Sequence, residues 1–228
     1  EVKQPTIAIN LGDVDEPDSL MPALKIIALL TILTVAPAIL LMTTAFTRII
    51  IVLSFIRQAL GTQTMPPNQV LIGLSLFLTM FTMSPVWNSI NSDALSPYIA
   101  KTITQTQAID NAVVPMRKFM LAQTREDDLG MLMNIAKLPK PETAEDVPFT
   151  VLMPAFLISE LKTAFQIGFL IYIPFLIIDM VVSSVLMAMG MLMLPPTVIS
   201  LPFKLVLFVL VDGWLLIVEQ VVNSFNLT

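Results

Sequence analysis

A chain of 228 residues that is 56% hydrophobic, 13% charged and free of Cys and His carries more apolar surface than a soluble fold can hide, and its mean hydropathy of +0.84 is that of a membrane protein. A net charge of −5 and a pI near 4.6 argue against nucleic acid, which needs a basic face. The missing Cys and His exclude disulfides and thiol chemistry and remove the usual zinc ligands, so no metal and no cofactor is expected.

The sequence opens at Glu1 with the polar stretch EVKQPTIAINLGDVDEPDS, the start expected of a precursor cleaved after a signal peptide, and residues 1–20 are read as a polar N-terminal segment. Between Lys25 and Arg48 the charge-free run IIALLTILTVAPAILLMTTAFT is predicted to be a membrane helix bent at Pro37. At about 1.5 Å per residue it reaches across a hydrocarbon core of about 30 Å. The apolar pattern continues to Gly61, TQTMPPNQ supplies turn chemistry, and residues 70–90 form a second span that loses order near Pro85. Residues 21–91 therefore read as a first hydrophobic helical hairpin.

From 92 to 148 the charges concentrate, which predicts a small water-exposed helical domain. Its clearest helix is VPMRKFMLAQT, with Pro115 in the first turn and Met116, Phe119 and Met120 on one face. LPKPETAEDVP is a Pro-rich acidic linker, and residues 149–228 read as a second hydrophobic hairpin. Within it Thr163–Leu194 is interrupted only by Asp179 and would extend roughly 48 Å as one helix, so a kink or break is expected at Pro174 or Gly190. The last element, TVISLPFKLVLFVLVDGWLLIVEQVVNSF, brings Trp214 near an interface. The fold class is thus an all-α membrane protein, two kinked helical hairpins flanking a small helical domain. With the amino terminus outside the cytoplasm, four spans leave that domain outside as well, and Arg48 and Arg57 near the first turn agree weakly with the cytoplasmic enrichment of positive charge.

Three ionisable residues sit in apolar surroundings: Glu160 in FLISELKTAF, Asp179 in FLIIDMVV and Lys204 in SLPFKLVLF. Each would cost about 2.5–3.5 kcal/mol at a lipid-exposed helix centre. Either each lies near a helix end and snorkels to the interface, or Glu160 or Asp179 pairs with Lys204, within the chain or from a neighbouring copy. Small residues four apart, Ala164 with Gly168 and Ser184 with Ala188, would let helix backbones approach closely. Together these features suggest an assembly of subunits.

In LMAMGMLMLPP, Met187, Met189, Met191 and Met193 alternate before the stop at Pro195 and Pro196. Clustered Met fills irregular gaps in ordinary cores. Here Gly190 and the Pro pair end the helix, and an irregular segment would project Met191 and Met193 to one side. Repeated around a ring, such a segment would form an adaptable apolar constriction.

PAFLISELKTAFQIGF (154–169), PFLIIDMVVSSVLMAMGM (174–191) and LPPTVISLPFKLVLFVLVDGW together resemble the signature segments of the FliP family of flagellar biosynthetic proteins, and the resemblance extends from about Phe46 through Phe225. It implies a subunit of the export gate of the flagellar type III secretion apparatus, in the bacterial inner membrane at the flagellar basal body, with the central domain periplasmic. It also implies a ring of five copies wound around a conduit for unfolded flagellar proteins, with FliQ-like and FliR-like subunits and other membrane proteins of the export apparatus as partners. Its hydrophobic elements need not all cross the membrane as conventional spans. By position the family's methionine gasket falls on Met191, Leu192 and Met193, where Leu replaces the usual middle Met, and Glu160, Asp179 and Lys204 fall on charged positions that contact within and between subunits. The acidic N-terminal extension fits the flagellar branch better than the homologous virulence gate.

The main alternative is a multi-pass secondary transporter that couples to protons through Asp179. No enzymatic activity is expected. Serine intramembrane proteases need a His, the aspartyl type needs a second membrane Asp, and no phosphate-binding Gly-rich loop is present.

Overall fold

The computed structural model describes residues 17–225 except 63, 140, 142, 144, 145 and 192, with side chains from residue 24 onward; most of the polar N-terminal segment and Leu192 of the gasket lie outside these residues. All regular structure among them is helical: α1 (Pro17–Met42), α2 (Phe46–Ala59), α3 (Asn68–Thr82), α4 (Ser84–Ile90), a π-turn at Asn91–Leu95, α5 (Ser96–Ile99), α6 (Gln105–Gln123), α7 (Glu126–Ile135), α8 (Phe149–Ala188), α9 (Pro196–Leu210) and α10 (Gly213–Asn223).

Among the described residues, 17–40 form one unit and those from Leu41 a second, compact one. In the first, α1 from Leu24 onward is apolar and long enough to cross a membrane, with none of that stretch buried. Its Thr31 and Thr34 hydroxyls donate to Ile27 O and Leu30 O, which keeps both polar groups satisfied without water. Helix runs on through Pro37 and breaks instead at Thr43–Ala45, so the expected bend site is displaced by about two turns.

In the second unit α2 packs along the first half of α8. The buried positions of α2 are Arg48, Ile49, Val52, Leu53, Ile56 and Ala59, a helical stripe. They share a core with Leu152, Phe156 and Ala164 of α8, where Glu160 meets Arg48 and Gly168 meets Phe55. A Cβ on Gly168 would lie 2.6 Å from the Phe55 ring, so this crossing requires glycine. The α2–α3 turn holds Gly61 at φ +73, and Arg57 reaches across it to Asn68 Oδ1.

The charge-rich central segment belongs to the same unit. Phe119 and Met120 of α6 and Asp128 of α7 are buried, the two helices packing against the start of α8. α6 begins with a capping box between Thr104 and Gln107, which satisfies two orphan backbone donors. It runs over 19 residues, so Pro115 lies in its interior and not in its first turn as expected; the box starts the helix ten residues earlier.

α8 is one 40-residue helix that continues through Pro154 and Pro174, about 60 Å by its rise. Pro174 therefore does not break it. It ends at Gly190, whose φ of +74 supplies a left-handed C-cap. Gly190 N–H donates to Met187 O (3.0 Å) and Met191 N–H to Leu186 O (2.9 Å), the two bonds of a Schellman motif. By length and composition α1 and α8 qualify as membrane spans; the pairs α3 with α4–α5, bent 57°, and α9 with α10, bent 66°, qualify as broken ones.

Candidate functional site

The structure brings the charges that stand out in the sequence into two polar networks inside the apolar unit. In the first, Glu160 is fully buried on α8 and Arg48 is 2% exposed on α2. The guanidinium grips the carboxylate with both edges: Nε donates to Oε2 at 2.9 Å and Nη2 to Oε1. Nη1 donates to the Ser224 carbonyl (2.7 Å) and hydroxyl (3.0 Å) beyond α10, Nη2 to Gln123 Oε1 of α6 (3.1 Å), and the Phe225 ring lies 3.9 Å from the guanidinium carbon. One arginine thus ties α2, α6, α8 and the end of α10. Glu160 does not pair with Lys204 and does not snorkel. Arg48, read from the sequence as a charge flanking the first turn, is instead buried, because the periodicity of α2 turns it toward the same face as Val52 and Ile56.

In the second network Asp179 of α8 meets α9. Lys204, 3% exposed, donates to Asp179 Oδ2 at 2.6 Å and to Ala59 O, at the end of α2, at 3.2 Å. The Ser200 hydroxyl, fully buried, donates to Asp179 Oδ1 at 2.5 Å. The Lys204 partner is therefore Asp179 of its own chain. Sequence reading missed Ser200, Arg48 and Gln123; the spacing of Ser200 one helical turn before Lys204 was the signal for the first.

A third cluster joins α7 to α8 outside the apolar stretch. The Asp128 carboxylate accepts from Lys162 Nζ and from Ser159 Oγ (2.8 Å), while Arg125 N–H donates to Ser159 Oγ at 3.0 Å. The hydrogen bond from Lys162 holds the Asp128 carboxyl below its ordinary value, with Ser159 and the charge of Arg125 adding to it against the cost of burial.

The small-residue pairs part company. Ala164 and Gly168 are buried against α2, whereas Ser184 and Ala188 are exposed, the Ser184 hydroxyl bonding back to Met180 O. The methionines surround the end of α8. Met187 lies in its last turn, Met189 at its cap, and Met191 and Met193 beyond Gly190. They are 60%, 66%, 40% and 98% exposed, so within one chain none of the four fills a core. Beside them a wholly apolar groove of about 470 Å³ runs between α8 and α9, lined by Val181, Val185, Leu186, Ile199 and Phe203 among others. Among the described residues no group of His, Cys, Asp or Glu could hold a metal ion.

The model of the FliP family matches residues 29–221. Flagellar biosynthetic protein FliP of Bacillus subtilis (strain 168) is 57% identical over 217 residues, covering 95% of this chain and 98% of that protein. The protein of that name from Pectobacterium carotovorum subsp. carotovorum is 58% identical over 203 residues (89% of this chain, 79% of the relative). That from Aquifex aeolicus (strain VF5) is 48% identical over 224 residues (97% and 92%).

Proposed function

The chain belongs to the FliP family, and from that premise we propose that it is a subunit of the flagellar type III protein export gate, a gated conduit for unfolded flagellar proteins at the inner membrane. The observation that carries this reading is the extent of the match: the family model covers residues 29–221 of this chain, and the alignment covers nearly the whole of the Bacillus relative. The flagellar names of the three relatives favour that branch over the virulence systems.

The geometry supports the finer parts of the proposal. The gate is a ring of copies of this chain, five by family resemblance, completed by FliQ-like and FliR-like subunits. A single chain leaves Met187, Met189, Met191 and Met193 open to the surroundings, as expected if their packing partners are the same residues of neighbouring copies. Met191 and Met193, with Leu192 between them in sequence, form the constriction. The charge-rich helices from the π-turn to α7 face the periplasm in this arrangement. Asp179 serves structure and not proton coupling: both of its carboxylate oxygens are engaged by α9, which disfavours the transporter. The chain supplies no energy of its own and catalyses no reaction.

The test is complementation. In a host deleted for its own FliP-family subunit, this chain is expected to restore export of filament protein to the medium. Normal membrane insertion without export, in a host whose other gate subunits it binds, would refute the assignment.

A further inference from the structure

We propose that Ser200 is a positioning residue of the gate: with Lys204 it grips Asp179 and so fixes α9 against the end of α8, next to Met187, Met189 and Met191. The proposal rests on the gate reading and adds a residue that the family resemblance does not assign.

The chemistry is a division of one carboxylate between two donors from one helix face. Ser200 and Lys204 stand one turn apart on α9; Ser200 takes Oδ1 (2.5 Å) and Lys204 takes Oδ2 (2.6 Å). Lys204 alone would leave the carboxylate free to swing about a single contact. Two donors define the rotation of Asp179 and thereby the sliding position of α8 against α9. The clamp is anchored beyond the hairpin, because Lys204 Nζ also donates to Ala59 O at the end of α2 (3.2 Å). Between Asp179 and Ser200 the remaining inter-helix surface is the apolar groove lined by Val181, Val185, Leu186 and Ile199, which carries no polar register of its own. Opening the constriction requires Met191 and Met193 to move, and their turn is held by the Gly190 cap at the end of α8. The two-donor clamp belongs to the closed arrangement, and removing one donor shifts the balance toward open.

The experiment measures potassium conductance of membrane vesicles carrying the assembled gate with wild-type chain, Ser200→Ala, Ser200→Thr, or Met191→Ala/Met193→Ala, ring assembly being checked by native mass spectrometry. Ser200→Ala is expected to assemble and to raise closed-gate conductance roughly tenfold, the change that loss of one hydrogen bond to a charged group produces. Ser200→Thr, which keeps the hydroxyl, is expected to return toward wild type, a rescue that a packing role would not give. If the methionine variant leaks and Ser200→Ala stays tight, or Ser200→Thr leaks as much as Ser200→Ala, the positioning role is refuted. If the methionine variant itself stays tight, the gate reading has failed and this proposal falls with it. Should Ser200→Ala not assemble, Ser200→Cys, of similar shape with a weaker donor, is expected to leak to an intermediate degree, and wild-type tightness there overturns the proposal.

Discussion

Arg48 and Glu160 show how much one buried pair decides. Both are closed off from the surroundings, and removing one partner strands the other charge in the core at a cost of about 3–5 kcal/mol. Arg48→Ala and Glu160→Ala are each expected to lower the thermal midpoint of the detergent-solubilised protein by roughly 10 °C, an unchanged midpoint contradicting the hub. Lys204→Glu breaks the second network, and the swap with Asp179→Lys should recover assembly only in part, because the new carboxylate would face the Ala59 carbonyl that Lys204 now donates to. Full recovery would show that this backbone contact is idle. At Asp128 the sign follows from a lowered pKa: its contribution is present above the unfolded value near 3.8 and is lost as pH falls through the lower folded value. Hydrogen-exchange protection of α7 should therefore hold from neutral pH and drop in strong acid, with no such step in Asp128→Asn. The cost of placing charge in apolar sequence is enough to single out Glu160, Asp179 and Lys204 from the amino-acid order alone. Arg48 escapes that criterion because it borders two apolar runs and reads as a flank, and only its register with Val52 and Ile56 reveals its burial.

At the level of elements, the reading near Pro85 held, where α3 gives way to α4 with a 57° bend, but prolines inside the longer apolar and central helices misled. Pro37, Pro115, Pro154 and Pro174 all lie inside helices. A proline removes one donor and strains one turn, which surrounding packing can tolerate; ending a helix needs a residue that turns the chain and pairs the last carbonyls. Gly190 does this at φ +74. Gly190→Ala meets no neighbouring atom, so its cost is backbone strain alone, about 1–2 kcal/mol. It should loosen the methionine turn and raise gate conductance modestly. Gly130→Ala, in the exposed middle of α7 with equally open space and an ordinary φ, should instead stabilise by about 0.5–1 kcal/mol in thermal unfolding. Equal effects of the two would remove the special role of the cap. The pairing of α2 with α8 was not legible in the sequence. Neither helix announces its partner, and the Ala164–Gly168 face that forms the contact looks the same as the exposed Ser184–Ala188 pair.

For the whole molecule, the apolar surface that set the class from composition remains largely unburied in one chain: none of α1 from Leu24 to Met42 is buried, nor is the second half of α8 apart from Phe175 and Leu186. Such surface requires lipid or further subunits. The methionine turn is expected to seal only in the assembly, so Met191→Ala with Met193→Ala should leak ions while export largely survives. The mass of the detergent-solubilised complex, with and without FliQ-like and FliR-like subunits, measured by native mass spectrometry, decides whether the chain works as a gate ring. A multi-copy ring of this chain that takes up the small membrane partners is expected. A stable monomer or dimer that refuses them would contradict it.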